Sequence, residues 1–310
     1  MNTPDLIQAL DSVTTIPPVV FRNGCIDYDA HLKNMSYLLK RNFLSENRKR
    51  VISLAGTSLI HHVDQDDQLK LAKETGNLMQ DEGVLMSAIV PNPIGEAGAL
   101  IEKQAALPRP PDVYLIMTMG GIYSTEGLYE GLLSFANRYG ESCGARFLYY
   151  YRQERDRDQI VRLVKGSPHI IGVKVGTQES DVPSMIEDIG NDGIVIWGVG
   201  DRSTKSAQLG SRGHTSGTAI LCARACDEIN NAQRIKDYDT ALEIENKIAA
   251  FEEIRFENGR VYNYSAVIEA MRLSGFEDID PGEGGPFNPF PPADVSQRIA
   301  TAIEPILEYH

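Results

Sequence analysis

The chain has 310 residues, 42% of them hydrophobic, enough to bury one large core or two ordinary ones. A net charge of −13 excludes nucleic acid and anionic membrane surfaces as general partners, so an anionic small substrate must be met by a local basic site. Cys25, Cys143, Cys222 and Cys226 are too few in a chain this long for a disulfide framework, and they read as free thiols. Met1 to Leu10 lacks a basic segment followed by an apolar one, and no run reaches the ~18 apolar residues of a membrane span. A reduced, cytoplasmic protein with no membrane partner is expected.

From Ser12 onward, short apolar runs alternate with longer amphipathic segments. The strand candidates are Val13–Phe21, Arg50–Ala55, Val84–Val90, Val113–Met117, Ala145–Tyr149, Ile170–Val173, Ile194–Val199 and Gly213–Ser216. Between and after them the pattern predicts helices over Asp29–Lys40, Gln65–Asp81, Glu96–Gln104, Thr125–Tyr139, Asp156–Leu163, Asp181–Ile189, Ser203–Leu209 and Ala219–Asn231. Eight such units in roughly 220 residues match a closed (β/α)8 TIM barrel, and no glycine fingerprint of an open dinucleotide-binding sheet follows the first strand. Asp64 is placed to cap the second helix, with Asp67 three residues on, and Ser203 to cap the seventh. Helical segments Asp237–Glu253, Ser265–Leu273 and Ala293–Glu308 follow, the last two separated by a Pro/Gly-rich stretch, Asp280–Pro292, that cannot be regular structure. The expected organisation is a barrel over 12–234 and a C-terminal helical extension over 235–310.

In such a barrel the chemistry lies at the carboxyl ends of the strands. The sixth strand candidate ends in Ile170-Ile171-Gly172-Val173-Lys174. A charged lysine costs several kcal/mol to bury, so this position calls for a paired ammonium or a neutral amine. A neutral, desolvated amine in the barrel mouth is the nucleophile that forms Schiff bases with carbonyl substrates. The fifth strand ends in Tyr149-Tyr150-Tyr151, whose phenols can move protons; alternation sends Tyr149 and Tyr151 to one face and Tyr150 to the other. Gly56-Thr57-Ser58 offers backbone N–H groups and two hydroxyls suited to a carboxylate. The glycines Gly198, Gly200, Gly213 and Gly217 fit a phosphate cup or close backbone packing, and packing is the preferred reading. His61 and His62 are adjacent on a loop with no acidic cluster, a weak metal signal, and no metal or cofactor is expected.

Taken together, these residues resemble the dihydrodipicolinate synthase / N-acetylneuraminate lyase family of Schiff-base class I aldolases, as a divergent member. Ile171-Gly172-Val173-Lys174 is similar to the family's imine-lysine motif, Leu148-Tyr149 to its strand-5 tyrosine, and Ala55-Gly56-Thr57-Ser58 to its carboxylate-binding turn. Glu126-Gly127-Leu128-Tyr129 and Gly200-Asp201 also fit, as does the helical appendage. The resemblance implies a lyase acting on pyruvate or a related 2-oxo acid. Lys174 is then the imine lysine and Tyr149 the proton relay, with Gly56, Thr57, Ser58, Gly200 and Thr215 binding substrate. It also implies a homo-oligomer, dimer or tetramer. The pattern departs at Leu59-Ile60, at Met119-Gly120-Gly121-Ile122-Tyr123, at Tyr150-Tyr151-Arg152 and at Val175, and Arg152 and Arg155 are the candidates for binding a second substrate's carboxylate. These departures point away from the lysine-pathway synthase itself more than from imine formation. The Gly213–Gly217 strand and the Pro286–Pro289 loop look more like the keto-deoxy-sugar-acid dehydratase branch. The rival readings are a catalytically inactive ligand-binding barrel and a phosphosugar aldolase.

Overall fold

The computed structural model describes residues 1–310, apart from the side chain of Thr57. Eight parallel strands close into a barrel: β1 (Val13–Thr15), β2 (Val51–Leu54), β3 (Val84–Ile89), β4 (Val113–Ile116), β5 (Phe147–Tyr151), β6 (Ile170–Val175), β7 (Ile194–Trp197) and β8 (His214–Ser216). Neighbours in sequence are neighbours in space, and β8 returns to pair with β1. Every residue of these strands is buried, because the strands face a packed interior on one side and helices on the other. The first strand is shorter than its apolar run predicts, since Pro17-Pro18 cannot donate to the ladder.

The register decides which side chains share the interior. Laterally paired residues of a parallel sheet point the same way, and alternate residues point oppositely. Tyr150 pairs with Lys174, and Lys174 with Ile196, so these three face the barrel interior. Tyr149 pairs with Ile116 and Val173, and this row faces the surrounding helices.

The helices are α1 (Thr3–Leu10), α2 (Tyr28–Lys40), α3 (Gln65–Met79), α4 (Ile94–Ala105), α5 (Thr125–Cys143), α6 (Arg157–Gly166), α7 (Asp181–Ile189), α8 (Thr204–Gln208) and α9 (Ala223–Arg234), then α10 (Tyr238–Arg260), α11 (Ser265–Ser274) and α12 (Ala293–Ile303) in the extension. Asp64 caps α3 as its position predicts, accepting from the Asp67 N–H at 2.9 Å. Ser203 makes no such side-chain bond. The N–H groups of Ser203 and Thr204 donate instead to Glu245 Oε2 at 3.0 and 2.9 Å, so a carboxylate from α10 caps α8 and ties the extension to the barrel. The sequence pattern also misses α1, which lies across the amino-terminal end of the barrel. There Thr3 accepts from Arg146 at 2.8 Å, and the Leu10 carbonyl crowds Gly213. A small hairpin of Phe21–Arg22 and Cys25–Ile26 is likewise additional.

Helix α10 runs past its expected end at Glu253. At its close Asn258, Gly259 and Arg260 take positive φ of 48°, 77° and 72°, turning the chain back toward the barrel mouth. The Asp280–Pro292 stretch is an irregular loop held by its contacts, the Asn34 side chain donating to the Asp280 carbonyl at 2.8 Å and Arg22 pairing with Asp280 at 2.9 Å. All four cysteines are free, Cys222 and Cys226 buried. Among the described residues no helix is long and apolar enough to cross a membrane.

Candidate active site

Lys174 stands near the carboxyl end of β6, only 3% exposed. The barrel makes room for it through a glycine on the next strand: a Cβ on Gly198 would sit 2.8 Å from both Cε and Cγ of Lys174, and 2.6 Å from the Val175 carbonyl. No other residue leaves that space. Burial pulls the amine below its ordinary range; the Tyr150 hydroxyl acts in the opposite sense, and Arg152 and Arg260 add to the depression. No carboxylate is among these neighbours, so burial favours the uncharged amine with no acid side chain to oppose it.

Tyr150 lies beside it, the lysine Nζ 4.3 Å from the ring centroid. Burial pushes the phenol up, but the charges of Lys174, Arg260 and Arg152, with a hydrogen bond from Arg260, outweigh it and bring the phenol below its ordinary value. A lysine and a tyrosine shifted toward each other are the pair from which a proton passes most readily.

The cavity above them holds about 50 Å³ and is walled by Ile16, Gly56, Gly198, Gly200, Thr215 and Gly217 from the barrel. The extension closes it with Arg255, Phe256, Arg260 and Asn263. Arg255 is buried against Gly217, where a Cβ would fall 2.2 Å from its guanidinium, and it pairs with Glu252 and lies 3.9 Å from Asp201.

Of the residues singled out in the sequence, Lys174, Gly56, Gly200 and Thr215 line one cavity. Tyr149 does not join them. The pleat turns it to the helix side, where its hydroxyl bonds Thr118 at 2.9 Å, next to Tyr123, which donates to Asp156 at 2.6 Å. Burial holds the Tyr149 phenol well above its usual range. Tyr151 shares that face. Alternation along β5 separates Tyr150 from Tyr149 and Tyr151, and the pairing of β5 with β6 puts Tyr150, not Tyr149, on the side of Lys174.

The carboxylate turn is only partly free. The Ser58 N–H closes on the Ala55 carbonyl at 3.1 Å and the Leu59 N–H on the Gly56 carbonyl at 3.2 Å. The Ser58 hydroxyl is buried without a hydrogen-bond partner among the described residues, and the Thr57 side chain lies outside them. The glycines after β7 and β8 carry close packing: Gly200 faces Glu252 Oε2, Gly213 the Leu10 carbonyl and Gly217 Arg255.

A second, larger cavity of about 530 Å³ opens at the mouth over β2 to β5, lined by His61, Gln65, Gln68, Asn92, Met119 and Arg152 among others. Arg152 separates the two, its guanidinium 5.1 Å from the Tyr150 ring and bonded to the Thr118 carbonyl. His61 is depressed by burial and by Arg152 and His62, while the His62 ring packs on Phe287.

Comparison with known proteins finds the same fold elsewhere. Residues 153–287 match the model of the Dihydrodipicolinate synthetase family. The 4-hydroxy-tetrahydrodipicolinate synthase of Pelagibacter ubique is 24% identical over 245 residues, covering 75% of this chain and 77% of its own. Among solved structures, dihydrodipicolinate synthase from Bacillus clausii superposes with a TM-score of 0.83 at 19% identity, covering 96% of this chain and 98% of its own. The Acinetobacter baumannii synthase complexed with pyruvate gives 0.80 at 20% identity, covering 95% and 98%. These two share the fold. The match over residues 153–287 and the shared order of strands and helices make this chain similar to the dihydrodipicolinate synthetase family, with the whole barrel and its helical extension in common with the solved synthases.

Proposed function

We propose that the protein is a Schiff-base-forming lyase acting on pyruvate or a related 2-oxo acid. The observation that carries this reading is Lys174, a buried amine held below its ordinary range, facing a small cavity beside a phenol shifted down to meet it. Pyruvate is the compound complexed with the Acinetobacter baumannii relative, and its three carbons suit a cavity of about 50 Å³. Residues 12–234 act as the catalytic barrel and 235–310 as the extension that closes its mouth.

Lys174 Nζ adds to C2 of the oxo acid; the carbinolamine loses water, and a protonated imine remains. That imine takes up the electron pair released when a C3–H or C3–C4 bond breaks, leaving an enamine. Tyr150 supplies the proton for water loss and takes it back from C3, the role the sequence pattern had assigned to Tyr149. Gly56 and Thr57, through their remaining N–H groups, and Thr215 border the substrate on the barrel side.

A second reading is favoured by the larger mouth cavity. Its amides, His61 and Arg152 offer hydrogen bonds to a hydroxylated chain, as a keto-deoxy sugar acid carries, and expulsion of water from C4 of the enamine would make the enzyme a dehydratase. Both readings begin with the same imine. They are tested together by following pyruvate in D2O by proton NMR: the methyl signal is expected to fade at a rate proportional to enzyme and to vanish from dependence on enzyme in Lys174→Ala. Exchange at the same rate in that variant contradicts the imine.

A further inference from the structure

We propose that Arg260, on the helical extension, binds the C1 carboxylate of the 2-oxo acid and selects for it over a neutral ketone; this rests on the imine reading above. Arg260 walls the lysine cavity together with Tyr150. Its backbone is in the left-handed region at φ 72°, following Asn258 at 48° and Gly259 at 77°. A non-glycine residue held there costs on the order of 1 kcal/mol or more, and such strain persists where the surrounding structure requires it. The effect of the turn is to swing a guanidinium off the end of α10 and over the cavity.

The charges around the cavity leave this guanidinium free for an anion. Glu252 and Asp201 are taken by Arg255, which also donates to the Asn263 side chain at 2.9 Å. Glu257, three residues before Arg260, pairs with Arg298 at 2.7 Å. Arg260 instead shares the cavity wall with Tyr150 and packs over the Phe256 ring, 5.0 Å from its guanidinium carbon. In a chain of net charge −13, an arginine turned toward the nucleophile and away from acids is an anion site.

Size identifies the anion. A cavity of about 50 Å³ has room for on the order of four water positions, which suits a negative group carried close to the carbonyl carbon that Lys174 attacks. A carboxylate adjacent to the ketone meets that condition; a phosphate several carbons away does not. On the opposite wall, the turn at Gly56 spends two of its N–H groups on its own backbone, so the guanidinium carries the larger share of the recognition.

The test compares two carbonyl probes, pyruvate and hydroxyacetone, by cyanoborohydride trapping and intact mass in the full-length protein. Because Arg260 also tunes Lys174 and Tyr150, Arg260→Met affects both probes, and the expected result is a rise in the pyruvate concentration for half-maximal trapping roughly tenfold or more beyond any rise with hydroxyacetone, the loss of one charge-assisted bond. Arg260→Lys should recover part of the pyruvate dependence. An unchanged pyruvate dependence in Arg260→Met, or an equal loss with both probes, overturns the proposal while leaving the imine intact. No adduct on Lys174 with either probe in the parent protein overturns the imine reading and this one with it.

Discussion

Replacing Tyr150 or Tyr149 by Phe separates two roles that one residue of sequence distance conceals. Tyr150→Phe removes the hydroxyl nearest Lys174 and leaves the ring on which the lysine packs. A positioned acid–base group contributes about 10²–10⁴ in rate, so pyruvate methyl exchange should fall by that factor with little change in melting. Tyr149→Phe removes a hydrogen bond to Thr118 on the helix side, and Thr118 keeps Tyr123 within 3.4 Å. The cost is then that of a single neutral bond, about 1 kcal/mol, or for a chain of 310 residues a fall in melting temperature of roughly 1–2 °C, with exchange within a few-fold of the parent. Exchange kinetics and thermal melts on the two variants give opposite patterns. A hundredfold loss of exchange in Tyr149→Phe with Tyr150→Phe within tenfold would refute the assignment by register.

Gly198→Ala places a methyl 2.8 Å from the lysine chain and 2.6 Å from a backbone carbonyl; overpacking of about 1–3 kcal/mol and a displaced nucleophile should cut trapping on the order of 10²-fold, and unchanged trapping would contradict the packing argument. Because Lys174 is depressed in the folded protein, the unfolded chain binds more protons below pH 10.5 and stability gained from this site rises with pH. Lys174→Met should therefore melt higher than the parent at neutral pH, with the gap closing as the pH approaches 10.5; a gap that widens with pH would mean the amine is charged and paired.

The barrel was legible because its evidence is local and repeated. Helix α7 falls at Asp181–Ile189 as the periodicity predicts, and every strand run after the first appears within a few residues of its expected place. Lys174 was legible for a similar reason, since a cation ending a buried strand conflicts with its surroundings. The phase of the tyrosine triplet was not, because alternation gives two faces and only pairing with β6 says which one is inside. Helix α1 escaped notice because it buries only Leu6 and Leu10, too few to set a pattern. The cap on α8 and the guanidinium of Arg260 depend on contacts between α10 and the barrel mouth, and no local spacing carries that information.

If Lys174 is the nucleophile, borohydride reduction in the presence of pyruvate followed by peptide mass mapping gives a single reduced pyruvyl adduct on the peptide containing Lys174, absent in Lys174→Ala. An adduct confined to other lysines, or none with pyruvate or any larger 2-oxo acid, would contradict it and favour a barrel that binds its ligand without chemistry.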